Sequence, residues 1–177
     1  MAAEIVRSWD STARVLSSHR MAGGISCEML LIEIVRDPLP PEKAVARVHG
    51  LWSTDRSHSA RQESRVLLEA RSAGLPCPTP LYHAEGALLL EYLPGHPTAA
   101  PEDADSFIQQ IACLLASVHN VPIDRFQFLP RLPTEIQPTL RPPNEALRES
   151  EIRARLDAVR LDVRCDQCLL HGDLWPG

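Results

Sequence analysis

The stretch Leu169-Leu-His-Gly-Asp-Leu-Trp-Pro-Gly177 decides how this chain is interpreted. Its two leading apolar residues predict the end of a buried strand, and its closing Pro and Gly continue the turn that follows. Asp173 is therefore predicted to lie on a loop just past a strand end, beside a small neighbour. A carboxylate in that position can accept a proton from a substrate hydroxyl, so Asp173 is the candidate catalytic base.

Composition narrows the class of protein. The chain has 177 residues, of which 44% are apolar, as is typical of a soluble globular protein. Its net charge of −5 argues against a sequence-independent nucleic-acid binder, which normally shows a basic face. No apolar run approaches the roughly 18 residues of a membrane span, and residues 1–10 lack the basic-then-apolar order of a signal peptide. We therefore expect a cytoplasmic protein with no nucleic-acid and no membrane partner.

The five cysteines are an odd number in apolar surroundings, which indicates reduced thiols better than a disulfide framework. Only Cys165 and Cys168, followed by His171, have the spacing of metal ligands. A structural zinc site needs four ligands and usually a second Cys pair, which the sequence does not supply. Ordinary thiols are therefore the favoured interpretation, and zinc is the alternative.

The first half of the chain alternates strand and turn signals. Five strands are predicted, over residues 12–21, 29–35, 43–49, 81–83 and 87–93, with a turn at Glu85-Gly86 between the last two. A helix is predicted over residues 55–73, because apolar residues recur there at helical spacing. Gly74 and the three prolines that follow it end this helix.

Two glycines, Gly23 and Gly24, separate the first two predicted strands. They suit a hairpin turn, which is the simpler interpretation. They also suit a loop whose backbone N–H groups approach phosphates closely.

Arg47 and Glu63 are predicted to form an ion pair. Glu63 lies three, four and seven residues before Val66, Leu67 and Ala70, so it falls on the apolar face of its helix. A carboxylate turned toward a core is costly unless a cation meets it, and Arg47 in the third strand is the natural partner. The alternative is a rotated helix with a solvated Glu63.

The second half of the chain is predicted to be helical. An amphipathic helix over residues 102–119 has an apolar stripe formed by Phe107, Ile111, Leu114, Leu115 and Val118. Residues 122–143 are rich in proline and predict an irregular connection over the surface. Residues 144–159 return to helix with alternating charges.

The order of these features resembles the aminoglycoside phosphotransferase-like family of small-molecule kinases, which includes choline kinase-like members. The family catalytic loop reads His-Gly-Asp and, after about three residues, Asn, and His171-Gly-Asp173 follows that pattern. The upstream glycines, strand cation, helix Glu, Gly74-Leu-Pro-Cys-Pro78 and connecting segment also occur in family order. The resemblance implies an α+β, protein kinase-like fold. It has a five-stranded antiparallel N-terminal lobe over residues 1–93 and a partial helical C-terminal lobe over residues 94–177.

The resemblance also implies an activity and a cofactor. ATP with Mg²⁺ would lie between the lobes, and a hydroxyl of a small molecule such as an aminoglycoside, choline or a sugar would receive the phosphoryl group. In this interpretation Asp173 takes the hydroxyl proton. The magnesium ligands of the family, an Asn and an Asp, would fall beyond Gly177. We therefore expect no metal ligand within this chain, and no activity from the 177-residue polypeptide alone. The alternative is a non-catalytic nucleotide-binding or interaction fragment.

The resemblance assigns further roles residue by residue. Arg47 would hold the nucleotide phosphates, and Glu63 would orient Arg47. The backbone of Gly23 and Gly24 would cover the nucleotide. The backbone at Glu91 and Leu93 would hydrogen-bond the adenine edge.

Overall fold

The computed structural model describes residues 1–21, 27–49, 56–95, 101–130, 148–158 and 167–171. In chain order its elements are α1 (Ala2–Trp9), β1 (Arg14–Arg20), β2 (Cys27–Val35), β3 (Glu42–His49), α2 (Arg56–Ser72), β4 (Pro80–Ala84), β5 (Ala87–Glu91), α3 (Ala104–His119), a 3₁₀ turn (Ile123–Phe126) and α4 (Glu149–Ala158). The five strands form one antiparallel sheet in the order β1-β2-β3-β5-β4. The predicted α+β class and five-stranded antiparallel sheet are confirmed.

Strand β3 shows that the sheet is covered on both faces. Successive side chains of a strand point to opposite faces. Ala44, Ala46 and Val48 pack in the core that includes residues of α1. Val45 packs in a second cluster, to which Leu67 of α2 contributes. The odd-numbered residues of β3 therefore face α2, and the even-numbered residues face α1.

The sequence signals did not predict helix α1. It has only eight residues and no side-chain cap at its N-terminus, so its local preference for helix is weak. Its Ile5 and Val6 are 5% and 0% exposed and pack against the sheet. At its end, the guanidinium carbon of Arg36 lies 4.8 Å from the centre of a Trp9 ring. Docking onto the sheet, rather than helix propensity, therefore stabilises α1.

Two glycines adopt left-handed backbone angles where the chain reverses. Gly74 follows the end of α2 with φ +84°, and Gly86 lies in the turn between β4 and β5 with φ +73°. An L-residue with a side chain would be strained at either angle. The predicted end of α2 and the predicted turn are thus present.

Helix α3 begins two residues later than predicted, because the side chain of Asp103 caps it by accepting from the N–H of Ser106 at 2.9 Å. The structure describes every residue of α3, and none of them is buried. Ile108 and Leu114 are 63% and 38% exposed, so the apolar face is only partly covered. No helix in the described part of the chain has the length and apolar character needed to cross a membrane.

The predicted surface connection over residues 122–143 is wrong at its start. Phe126, in the 3₁₀ turn, is 5% exposed and packs with Val121 and with Ala70 of α2. The proline-rich composition predicts a surface loop, but burial of the single Phe126 ring stabilises this segment against α2. Residues 131–147 lie outside the described part of the chain. The helix predicted over residues 144–159 is present as α4, beginning at Glu149.

The strand predicted to end at Leu169 and Leu170 is also wrong. Residues 167–171 form no strand in the structure, and Leu170 is 50% exposed. Leu169 instead packs against the cluster of Ala70, Val121 and Phe126. These neighbours belong to helical and turn segments, which offer no strand edge for backbone pairing.

Candidate functional site

Arg47 of β3 and Glu63 of α2 meet across the space between sheet and helix. The Nη1 atom of Arg47 donates to Oε1 of Glu63 at 2.8 Å. Their side chains are 36% and 24% exposed, so the pair is partly shielded from water. Arg47 reaches α2 because it occupies an odd-numbered position of β3. The sequence-predicted pair is therefore formed, and Glu63 is not a fully solvated residue.

The Arg47 guanidinium is held as a cation. Burial lowers the pKa of Arg47, but hydrogen bonding to Cys27 and the negative charge of Glu63 outweigh burial and raise that pKa above its ordinary value. Its Nε is buried and makes no hydrogen bond among the described residues. Arginine presents several N–H donors in one plane, an arrangement that suits phosphate oxygens. The partly exposed guanidinium thus has the charge and the donor geometry for an anionic ligand.

His49 and Cys27 lie beside the Arg47–Glu63 pair, and no sequence motif indicated either residue. His49 is 7% exposed, and its Nε2 lies 3.6 Å from Oε2 of Glu63. Its Nδ1 lies 3.7 Å from Sγ of Cys27, which pairs with His49 in the β2–β3 register. The two-residue period of a strand places His49 on the face of Arg47, and that signal could have identified it. Cys27 could be found only from the strand register.

The two residues predicted to meet the adenine edge, Glu91 and Leu93, lie at the end of β5 and just after it. The carboxylate of Glu91 accepts from the N–H and the Oγ1 of Thr79 at 3.1 Å and 2.5 Å. Nη1 of Arg71, in α2, lies 3.8 Å from Oε2 of Glu91. The side chain of Glu91 thus ties the connecting segment to the chain around α2. Leu93 is 51% exposed.

Thr79 is expected to control the ionisation of Glu91. The side-chain hydroxyl of Thr79, followed by its N–H, lowers the pKa of Glu91. A lowered folded pKa favours the folded state above about pH 4.3, and this contribution is lost as the pH falls through the folded value. Thr79→Val should therefore raise the pKa of Glu91 toward its ordinary value, as measured by NMR of the carboxyl carbon during titration. Thr79→Ser keeps the hydroxyl and serves as the control, and an unchanged pKa in the valine variant would contradict the assignment.

Three predicted site residues, Asp173, Gly23 and Gly24, lie outside the described residues. The described part of the loop ends at His171, which is exposed. Within the described ranges, no group of three His, Cys, Asp or Glu side chains could hold a metal ion. We therefore assign none of these residues to magnesium. Of the zinc-like motif, Cys168 and His171 are described and exposed, and Cys165 is not described.

A five-stranded sheet whose central-strand cation pairs with a helix glutamate is the arrangement of the nucleotide-binding lobe in kinase-like proteins. Comparison with models of protein families indicates the same class of protein. The model of the phosphotransferase enzyme family (APH) matches residues 36–177. The chain belongs to this phosphotransferase family, which confirms the resemblance found in the sequence and indicates a phosphotransfer function. A search of curated proteins found no match.

Proposed function

We propose that this protein transfers a phosphoryl group from ATP to a hydroxyl group of a small molecule. The observation that carries this proposal is the 2.8 Å contact between Arg47 and Glu63. Kinases use a strand cation fixed by a helix glutamate to hold nucleotide phosphates, because phosphoryl transfer depends mainly on positioning and charge stabilisation. Family membership supports the same reaction class.

Arg47 and its neighbours suit the triphosphate end of a nucleotide. Glu63 binds Nη1 of the guanidinium, and the Arg47 side chain is still 36% exposed. Phosphate oxygens are acceptors of the right charge for such donors. The backbone of Gly23 and Gly24 would cover the phosphates, and the backbone at Glu91 and Leu93 would meet the adenine edge. Magnesium, when bound, would neutralise charge on the transferring group.

Asp173 completes the proposal as the base that accepts the proton of the attacking hydroxyl. The acceptor class stays open among aminoglycosides, choline, sugars and homoserine-like alcohols. ATP as donor and reduced cysteines both suit the cytoplasm, where we place the protein.

The test has two parts. Isothermal titration of the complete protein with ATP and Mg²⁺ measures binding, and a screen of the four acceptor classes with γ-labelled ATP measures transfer by the same protein. Binding together with transfer to one class supports the proposal. Binding without transfer to any acceptor favours the alternative of a non-catalytic nucleotide-binding protein, and absence of binding contradicts both. The inactivity of the 177-residue polypeptide by itself stays a prediction, and the same transfer assay on that polypeptide checks it.

A further inference from the structure

Cys27, His49 and Glu63 form a line of contacts at the edge of the Arg47 cluster. The sulfur of Cys27 lies 3.7 Å from Nδ1 of His49, and the other ring nitrogen lies 3.6 Å from Oε2 of Glu63. A thiol next to an imidazole can pass its proton to that ring, and a carboxylate on the far side stabilises the resulting imidazolium. The imidazole of His49 therefore lies between the thiol and the carboxylate. Among the described residues these three side chains do not form a group that could hold a metal ion.

A cation also lies beside Cys27. The guanidinium of Arg47 is close enough to Cys27 for the sulfur to contribute to its raised pKa, and a cation beside a sulfur stabilises negative charge on it. Cys27 is half-buried, so its sulfur is not sealed within a core. Reactive cysteines in proteins occupy such electropositive, partly exposed positions.

Cys77 shows what an unreactive thiol looks like in the same protein. It is half-buried like Cys27, but it packs at the apolar cluster of Ala70, Val121 and Phe126. Its sulfur donates to the carbonyl oxygen of Leu67 at 3.6 Å. Burial raises the pKa of Cys77, and the opposing charge of Arg71 is the smaller effect. Both thiols are therefore half-buried, but the sulfur of Cys27 lies beside an imidazole and that of Cys77 beside a carbonyl oxygen.

We propose that Cys27 is a modification site at which low-molecular-weight disulfides form a mixed disulfide with the protein. His49 takes the proton of Cys27, and the thiolate attacks one sulfur of the disulfide. A new S–S bond forms to Cys27, and the S–S bond of the reagent breaks. Its electron pair leaves on the second sulfur, which takes the proton back from His49. One thiol and one disulfide are consumed, and one mixed disulfide and one thiol are formed.

The modification also has a regulatory consequence, which rests on the proposed function. Cys27 begins β2 directly after residues 22–26, which contain the glycine pair, and its sulfur contacts Arg47. A group attached to Cys27 would occupy space beside the guanidinium that we assign to nucleotide phosphates. Modification should therefore weaken ATP binding, and bound ATP should protect Cys27.

The experiment treats the reduced full-length chain with oxidised glutathione and follows each cysteine by peptide mass spectrometry. Cys27 is expected to react at least about tenfold faster than Cys77, because His49 can take the proton of Cys27, whereas the sulfur of Cys77 has only a carbonyl oxygen and an apolar cluster beside it. It should also react faster than Cys113 and Cys168, which are exposed. A Cys27 rate equal to or below that of Cys77 would overturn the proposal.

Two variants test the role of the neighbours. His49→Gln and Glu63→Gln should each lower the Cys27 rate several-fold while the Cys113 rate stays constant. The Cys77 rate in the same sample reports folding, because an unfolded variant would expose Cys77 and raise its rate. An unchanged Cys27 rate in a folded His49→Gln variant would contradict the proposed proton transfer from Cys27 to His49. If both variants unfold, the wild-type comparison of Cys27 with Cys77 decides the proposal.

ATP separates this inference from the proposed function. If ATP slows modification of Cys27 and leaves Cys113 unaffected, both are supported. If Cys27 reacts fast but ATP gives no protection, the thiol site stands and the proposed position of the phosphates is wrong. If ATP binds by titration but Cys27 reacts no faster than Cys77, the nucleotide-binding proposal stands and the proposed thiol site is wrong.

Discussion

In the complete protein, replacing Asp173 by asparagine is expected to lower the rate of phosphoryl transfer by roughly two to four orders of magnitude, the range that loss of a general base usually gives. Asparagine has nearly the size of aspartate and can still hydrogen-bond a hydroxyl, but it cannot take the proton. ATP affinity should therefore stay near that of the wild type while turnover falls. Steady-state kinetics with the acceptor found in the screen, together with titration of ATP, separates the two quantities.

The control for this variant is Asp105→Asn. Asp105 is an exposed carboxylate in the first turn of α3 with no role in the proposed chemistry, and its replacement should leave turnover unchanged. Near-normal turnover in Asp173→Asn would show that another group accepts the proton. A parallel loss of turnover in both variants would point to a general effect of removing negative charge.

The second large effect is expected at the Arg47–Glu63 pair. Arg47→Ala removes the cation and Glu63→Ala removes the group that positions it, so each should weaken ATP binding about tenfold or more. The double variant should be little worse than the Arg47 single variant, because Glu63 acts through Arg47. The coupling energy in the double-mutant cycle is expected to reach about 1–3 kcal/mol. Isothermal titration of the four proteins with ATP gives this value.

The chain offers a matched control pair in Arg14 and Asp37. Their contact, 3.1 Å from Nη2 to Oδ2, resembles that of the Arg47–Glu63 pair in distance, but the side chains are 69% and 79% exposed. Exposed ion pairs contribute little, and this one lies outside the cluster assigned to phosphates. Alanine variants at these positions should leave ATP binding unchanged. Additive losses of ATP affinity in the Arg47 and Glu63 variants would contradict the proposal that Glu63 acts through Arg47.

Local sequence signals were sufficient where neighbours in the chain decide the structure. The five strands and α2 were predicted close to their observed bounds, and Gly74 and Gly86 mark turns at which the backbone takes positive φ. Helical spacing placed Glu63 on an apolar face, and the cost of burying a lone carboxylate then pointed to Arg47. The pair was predictable because one local period and one electrostatic rule were enough.

Contacts between distant segments decided the structure of helix α1 and of residues 167–171. Helix α1 is stable because Ile5 and Val6 are buried on the sheet, a surface that distant segments of the chain build. Residues 167–171 looked like a strand by composition, but they lie beside helical segments with no backbone edge to pair with.

The sequence by itself determined the types of the strands, α2 and α3, the turns at Gly74 and Gly86, and the choice of Arg47 as partner of Glu63. Each follows from periodicity or residue chemistry within a short window of the chain. Only the tertiary structure decided the position of β5 between β3 and β4 and the alignment of Cys27 with His49 and Glu63. Strand register and helix docking bring those residues together, since both depend on the apolar area that distant segments bury against each other.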